Sequence, residues 1–465
     1  MVNFTSMPLL NAIAGSMRRH GIAFVTAGCL FIEPAEDAHA QPLAKSAIFA
    51  RGPWSLDVSD TRASVRVELN VSSAAQIDVR DREGQLTRTL KASPSTFHTF
   101  EITGLSAERE HTYEIKVGSE STSGRFMTAP TPDGNQTFSF LLYGDNRTDH
   151  AAHEAVVSSM VPRPGAFLIH TGDFVVDGGT PSEWDKFFRI EDSLLRTRAI
   201  FSCVGNHELF GDAGDTYVRL FGPTHTTGVP RLYSTMRWSH ARFFLLNAFD
   251  AAGDGRAWLE RELEQADHEQ GLRWRFVVIH QGPYSSGPHG GSHAMVRNGL
   301  VTLFRRHKID AILSGHDHLY ERGLANDLRY VVTGGGGAPL YPIKHRLEST
   351  RKVESTRHFI EVSVTSDHVT MNVQRVDGTL LETCGFGKEP GWDCDPKVAA
   401  TPPVAPSTAP STTPSHRGCV SCAIVETNLG RPHTMVVAAV GLGLFLARRY
   451  KKRNAAHAKV EPRLR

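Results

Sequence analysis

Between residues 47 and 130 apolar and polar side chains alternate in short runs. Ala63-Ser-Val-Arg-Val-Glu-Leu-Asn-Val71 and Ala75-Gln-Ile-Asp-Val-Arg80 come first, then Thr96-Phe-His-Thr-Phe-Glu-Ile102 and His111-Thr-Tyr-Glu-Ile-Lys-Val117. A period of two puts successive side chains on opposite faces of a strand, and turn-forming residues separate the runs. The pattern predicts a small antiparallel β-sandwich over 47–130.

From residue 137 the pattern changes. Continuous apolar runs at 138–143, 166–169, 199–204, 243–246, 276–279, 311–313 and 330–332 alternate with helix-like segments. Asp254 stands where it would cap an amphipathic segment carrying Trp258, Leu259 and Leu263, and 295–304 reads as one helix. Mixed strands and helices over 135–380 predict a second domain built on buried sheet. Ligands in such domains gather where loops leave the carboxyl ends of strands.

Both ends differ from this body. Within 1–40, Arg18-Arg19 precede an apolar run at 21–32, and Ala38-His39-Ala40 offers a small-x-small cleavage site. This predicts an export signal, with Met17 the better-fitting start; Thr26-Ala27-Gly28-Cys29 only loosely resembles a lipoprotein box. Residues 397–417 are rich in Pro, Ser, Thr and Ala, the composition of an extended linker. The tail, 418–465, holds Gly418-Cys-Val-Ser-Cys422, an apolar run at 435–447 and Arg448-Arg-Tyr-Lys-Lys-Arg453. Its apolar run is short of the roughly 20 residues a bilayer span needs. The basic cluster would lie on the cytoplasmic side. The tail reads as a sorting signal or anchor for a protein that works at the cell envelope or outside the cell.

Charge narrows the partners. Lys and Arg number 51 against 49 Asp and Glu, so there is no electrostatic basis for a nucleic-acid partner. The six cysteines form no compact disulfide framework, and whether Cys384 and Cys394 pair is open.

The chemistry lies at the strand ends. The run 138–143 leads into Gly144-Asp145-Asn146-Arg147, and 166–169 leads through His170 into Thr171-Gly172-Asp173. Later runs lead into Gly205-Asn206-His207-Glu208, His280 and Ser314-Gly315-His316-Asp317-His318. A lone Gly-Asp is usually a turn, and a lone buried His is usually a hydrogen-bonded core residue. Asp, Asn and His donors in series, each after an apolar strand, point instead to iron, zinc or manganese.

The series resembles the motif set of the calcineurin-like metallophosphoesterase superfamily. His316-Asp-His-Leu-Tyr-Glu-Arg322, Glu208 and the preceding sandwich are similar to its purple acid phosphatase branch. Thr103-Gly-Leu, Tyr113-Glu-Ile-Lys-Val and Phe126-Met-Thr-Ala-Pro130 resemble a fibronectin type III module. The resemblance implies an α+β fold, a four-layer αββα sandwich behind an all-β fibronectin type III-like sandwich. It implies two metal ions, one held by Asp145, Asp173 and His318, the other by Asp173, Asn206, His280 and His316. His207 and Asp173 would be catalytic, with His207 assisting the leaving group, and Asn206, His289 and Arg147 would face substrate. The implied reaction is hydrolysis of a small-molecule phosphomonoester by a metal-bound hydroxide. A phosphodiesterase or nucleotidase on the same metals is the alternative, and a surface adhesion protein with a degenerate metal site is a third reading.

The chain departs from the family at two places. Purple members carry a Tyr ligand three residues after the Gly-Asp aspartate; Val176 stands there, which argues against ferric iron. The wider superfamily places His two residues after the first Asp, where this chain has Arg147. His153, which shares a helix face with His150, is the candidate extra ligand, and Asp177 another oxygen donor. Arg322 is expected to pair with a carboxylate. Gly334-Gly-Gly-Gly337 reads as either a close backbone approach or a plain turn.

Overall fold

The alternating segment forms strands Phe49–Leu56, Arg62–Arg80, Leu86–Thr103, Glu110–Val117 and Glu120–Met127, paired antiparallel throughout. In the computed structural model, which describes residues 48–224, 228–250 and 254–394, these five strands are one continuous sheet. The break expected at 71–75 does not end the strand. Register shifts between Glu68 and Ser73 and between Ser73 and Ala75 absorb it, because a bulge interrupts the ladder only locally and bends the strand, and pairing resumes beyond it. One half of Arg62–Arg80 pairs with Phe49–Leu56 and the other with Glu110–Val117. Alternation buries Val65, Val67, Ile77 and Val79.

The second region holds two seven-stranded sheets. One runs in the order Asp393–Cys394, Leu380–Phe386, Val369–Arg375, His358–Val364, Phe138–Tyr143, Phe167–His170, Ala199–Ser202. The other runs Thr350–Glu354, Tyr320–Ala325, Leu328–Thr333, Ala311–Ser314, Trp274–Ile279, Ala241–Leu246, Ser234–Trp238. Phe140, Leu142, Phe167 and Ile169 of the first share an apolar cluster with Phe243, Leu245, Phe276 and Val278 of the second. The intervening strand positions face helices. Leu141, Tyr143 and Leu168 cluster with residues of His150–Met160 and Pro181–Leu195. Phe244, Leu246, Val277 and Ile279 cluster with Asp254–His268, His293–Arg297 and Leu300–Arg306. The result is the expected αββα layering, with strands apolar on both faces and therefore read as continuous runs.

Two expectations need correction. The single helix at 295–304 is two helices, His293–Arg297 and Leu300–Arg306, because Gly299 between them sits at φ 72. That left-handed conformation interrupts a right-handed helix. The sheet also continues past residue 380 through Leu380–Phe386, and Cys384 forms a disulfide with Cys394.

The parallel strands Phe138–Tyr143, Phe167–His170 and Ala199–Ser202 release three motif loops at their carboxyl ends. Trp274–Ile279 and Ala311–Ser314, also parallel, release the histidine loops. Among the described residues no helix is long and apolar enough to cross a membrane. The export signal at 1–40, the linker at 397–417 and the tail with its apolar run at 435–447 lie outside the described residues.

Candidate metal centre

Asp145 and Asp173 each occupy the first turn after a buried strand, both at φ 60 and both buried. His316 donates its backbone N–H to both carboxylate oxygens of Asp145, at 3.0 and 3.1 Å. His207 donates its backbone N–H to Asp173 Oδ1 at 3.2 Å. One donor atom each from Asp145, Asp173 and His318 lies within 4.8 Å of the others, the spacing of a metal-holding group. Asp173 also reaches the second set: His280 Nε2 is 3.2 Å from Asp173 Oδ1, 3.2 Å from Asn206 Oδ1 and 3.2 Å from His316 Nδ1.

Backbone carbonyls set the ring orientations. Nδ1 of His280 lies 2.8 Å from Thr171 O, and Nδ1 of His318 lies 2.7 Å from Pro339 O. A proton donated from Nδ1 to a carbonyl leaves Nε2 as a lone pair, the form a ligating histidine uses. Around His280 Nε2 the facing atoms are a carboxylate oxygen, an amide oxygen and a ring nitrogen. Lone pairs crowded in this way are stable only around a cation or a proton. Burial alone would push the His280 imidazole down, but the Asp173 and Asp145 carboxylates raise it to about 9. The field at that point favours positive charge. His316 and His318 go the other way, to about 2 and about 4, chiefly through burial, so both are neutral imidazoles. Burial lifts the Asp145 carboxyl to about 8. Burial opposes ionisation of Asp173 too, but His280, His207 and Arg147 hold its carboxyl well below the ordinary range. The second set therefore fits a cation. In the first, Arg147 competes for the same atoms, with Nε 3.1 Å from Asp173 Oδ2 and Nη2 3.4 Å from His318 Nε2.

Residues 138–320, which carry all of these ligand loops, match the family model of the calcineurin-like phosphoesterases. They form a calcineurin-like metallophosphoesterase domain. A purple acid phosphatase of Glycine max is 25% identical over 281 residues, covering 56% of this chain and 60% of its own length. The purple acid phosphatase PPD1 of yellow lupin (Lupinus luteus) shares the fold with a TM-score of 0.64 at 16% identity, covering 72% of this chain and 74% of that one. PhoD does so with a TM-score of 0.62 at 11% identity, covering 78% and 94%. The chain spans about half to two thirds of the length of the curated relatives it matches.

In this phosphoesterase domain the remaining motif residues hold the ligand loops in place. Glu208, fully buried, accepts backbone N–H groups from Gly205, Asp173 and Phe174, each at 2.8 Å, and from Val175 at 3.3 Å. It locks the Asp173 loop to the Asn206 loop. Asp317 and Glu321 organise the 283–289 loop: Asp317 accepts from Ser285 Oγ and His289 N, and Glu321 from both N and Oγ of Ser286. The glycine run is a close approach. Gly336 donates to Gly144 O at 2.9 Å, and a Cβ there would lie 2.3 Å from that same oxygen.

His207 stands at the rim, its side chain 16% exposed, with Nδ1 2.6 Å from Val176 O and Nε2 3.8 Å from Asp173 Oδ2. Burial lowers its imidazole below the usual value. His289 is exposed, its ring centroid 4.6 Å from that of His316. Tyr341, which the sequence did not single out, stacks on His318 at 4.0 Å between centroids, and its hydroxyl is 3.4 Å from His289 Nε2. The one available signal was its place four residues after the glycine run.

His153 does not join the ligands, which corrects the expectation of an extra ligand there. It is buried in helix His150–Met160 with Nε2 2.7 Å from Glu191 Oε1 and Nδ1 3.3 Å from Asn146 Nδ2, so both ring nitrogens are engaged. Asp177 caps a turn by accepting from Gly179 N at 2.9 Å. Arg322 pairs two-pronged with Glu382 at 2.9 and 3.0 Å, as expected. Val176 contributes its carbonyl to His207 and is 39% exposed, with no phenol at that position.

Proposed function

We propose that this chain is an exported, metal-dependent phosphatase that hydrolyses small-molecule phosphomonoesters. The observation that carries the reading is the meeting of Asp173, Asn206, His280 and His316 around one point, with the rim histidine His207 beside it. Asp173, Asn206, His280 and His316 would hold the cation, which would supply charge neutralisation for the phosphate and a water acidified to a pKa of about 7.

The chain's own groups supply the rest. Arg147 Nη1 donates to Thr148 Oγ1 at 3.2 Å on the exposed side, where it can exchange that partner for a phosphate oxygen. His207, its Nδ1 tied to Val176 O, keeps Nε2 for carrying a proton to the leaving oxygen. Among the described residues the free thiol, Cys203, is buried, and burial pushes its pKa up, so it is not a nucleophile. The Cys384–Cys394 disulfide supports work in an oxidising compartment, in line with export.

The test is hydrolysis of 4-nitrophenyl phosphate and of its bis-ester by chelated and metal-reloaded protein. The monoester should be the better substrate, and chelation should abolish turnover. His207→Ala should lower kcat about a hundredfold with metal content unchanged, and Asp173→Asn should lose both metal and turnover. Full activity in both variants would overturn the mechanism. Bound metal with no turnover on either ester would favour the adhesion reading.

A further inference from the structure

The first metal position is already held by a side chain. Asp145, Asp173 and His318 are spaced to grip a cation. Arg147 lies across them, donating from Nε to Asp173 Oδ2 at 3.1 Å, with Nη2 3.4 Å from His318 Nε2. These are the lone pairs a metal at that position would take. His318 has no alternative donor atom, because its Nδ1 is committed to Pro339 O at 2.7 Å and its ring is stacked under Tyr341. A metal–nitrogen bond is about 2.0–2.1 Å long, and a guanidinium hydrogen bond uses the same lone pair from about 3 Å. The two arrangements exclude each other.

Charge leads the same way. A guanidinium keeps its charge at every physiological pH, and the Arg147 side chain is only 14% exposed. Bringing a dication next to it costs Coulomb energy unless Arg147 swings out and gives up Asp173 and His318. In the second set Asn206 Oδ1, His316 Nδ1 and Asp173 Oδ1 each lie 3.2 Å from His280 Nε2, and the ionisable groups there are imidazoles and a carboxylate, which can give up a proton to a metal as a guanidinium cannot.

We propose that the chain binds one metal ion tightly, at Asp173, Asn206, His280 and His316, and that Arg147 serves as a built-in cation in the neighbouring position. This rests on reading the site as a metal centre for phosphate esters. The substrate phosphate would then lie between one metal and one guanidinium. The Arg147 position also accounts for the Val176 site, since no ligand is needed from that loop if no metal sits there.

The test is metal stoichiometry. The stripped full-length protein is titrated with Mn²⁺ by calorimetry and, after removal of free ion, by elemental analysis, for wild type and Arg147→Gln. The expected result is one tight equivalent in the wild type, with any second at least tenfold weaker, and two comparable equivalents in Arg147→Gln. The Mn²⁺-saturated wild type should give the electron paramagnetic resonance spectrum of an isolated ion, and the variant that of a spin-coupled pair. Two comparable equivalents in the wild type overturn the proposal whether or not the variant folds. One equivalent in both proteins overturns the competition at Asp145, Asp173 and His318. These outcomes are separate from those of the ester assay: two metals with good hydrolysis sinks this proposal alone, and one metal without hydrolysis sinks the phosphatase reading alone.

Discussion

Glu208 shows how much a single residue carries at this centre. Its two oxygens accept four backbone N–H groups, from Asp173, Phe174, Val175 and Gly205, with no solvent contact. Burial raises its carboxyl to about 7, so the four donors are what keep the group in place. Glu208→Gln puts an NH₂ group against two of those donors. The expected result is a stability loss of about 2 kcal/mol or more in urea unfolding, with weaker metal binding, because a buried donor left unsatisfied costs about 1–3 kcal/mol. His358 supplies a pH dependence away from the ligands. It is fully buried between Thr333 Oγ1 and Thr356 O, and burial lowers its pKa from 6.5 to about 4. The unfolded chain therefore takes up this proton at a higher pH than the folded one. The stabilisation is complete above about 6.5 and is lost as pH falls from there through 4. Unfolding midpoints measured from pH 7 to 4 should fall less steeply in His358→Gln than in the wild type.

At the scale of elements, the ligand-bearing strands were legible because both faces are buried and their ends carry polar residues. The run at 138–143 coincides with the observed strand, and 166–169 and 311–313 are displaced or shortened by a single residue. Six candidate ligands could be named because each lies within a few residues of the carboxyl end of such a strand. Other features gave no local signal. At the bulged corner at 69–75 the pairing shifts register and then resumes in the same strand, so a gap in alternation looked like a gap between strands. The helix break at Asn298-Gly299 was written in the sequence but is invisible to apolar periodicity. That Arg147 spans Asp173 and His318 depends on residues 26 and 171 positions away. No spacing rule reaches that far. Tyr341 belongs to a loop without periodicity and is located only by its packing on His318.

At the scale of the whole molecule, the N-terminal sheet is a packing partner of the phosphoesterase region, and all described residues fall within one compact unit. Arg66, 5% exposed, donates to Arg219 O, Leu220 O and Gly222 O at 3.2, 2.9 and 2.8 Å. Trp54, fully buried, donates to Leu220 O at 3.0 Å, and Arg51 bridges Glu68 and Asp185. The Arg66 and Trp54 bonds hold helix Asp215–Phe221, which follows the Asn206–His207 loop, and Arg51 reaches helix Pro181–Leu195. Arg66→Ala should cost about 3 kcal/mol or more, since three carbonyls lose a charged donor. Calorimetry should show one transition in the wild type, and two in the variant if the sheet has been uncoupled.

The proposed mechanism needs a metal-loaded centre and His207 as the proton donor to the leaving group. The most direct measurement is the turnover of 4-nitrophenyl phosphate by stripped, reloaded and His207→Ala protein, with metal content determined on the same samples. The mechanism predicts no turnover in the stripped protein, recovery on reloading, and about a hundredfold lower kcat in the variant at equal metal content. Hydrolysis that persists in the stripped protein, or that is undiminished in His207→Ala, would contradict it.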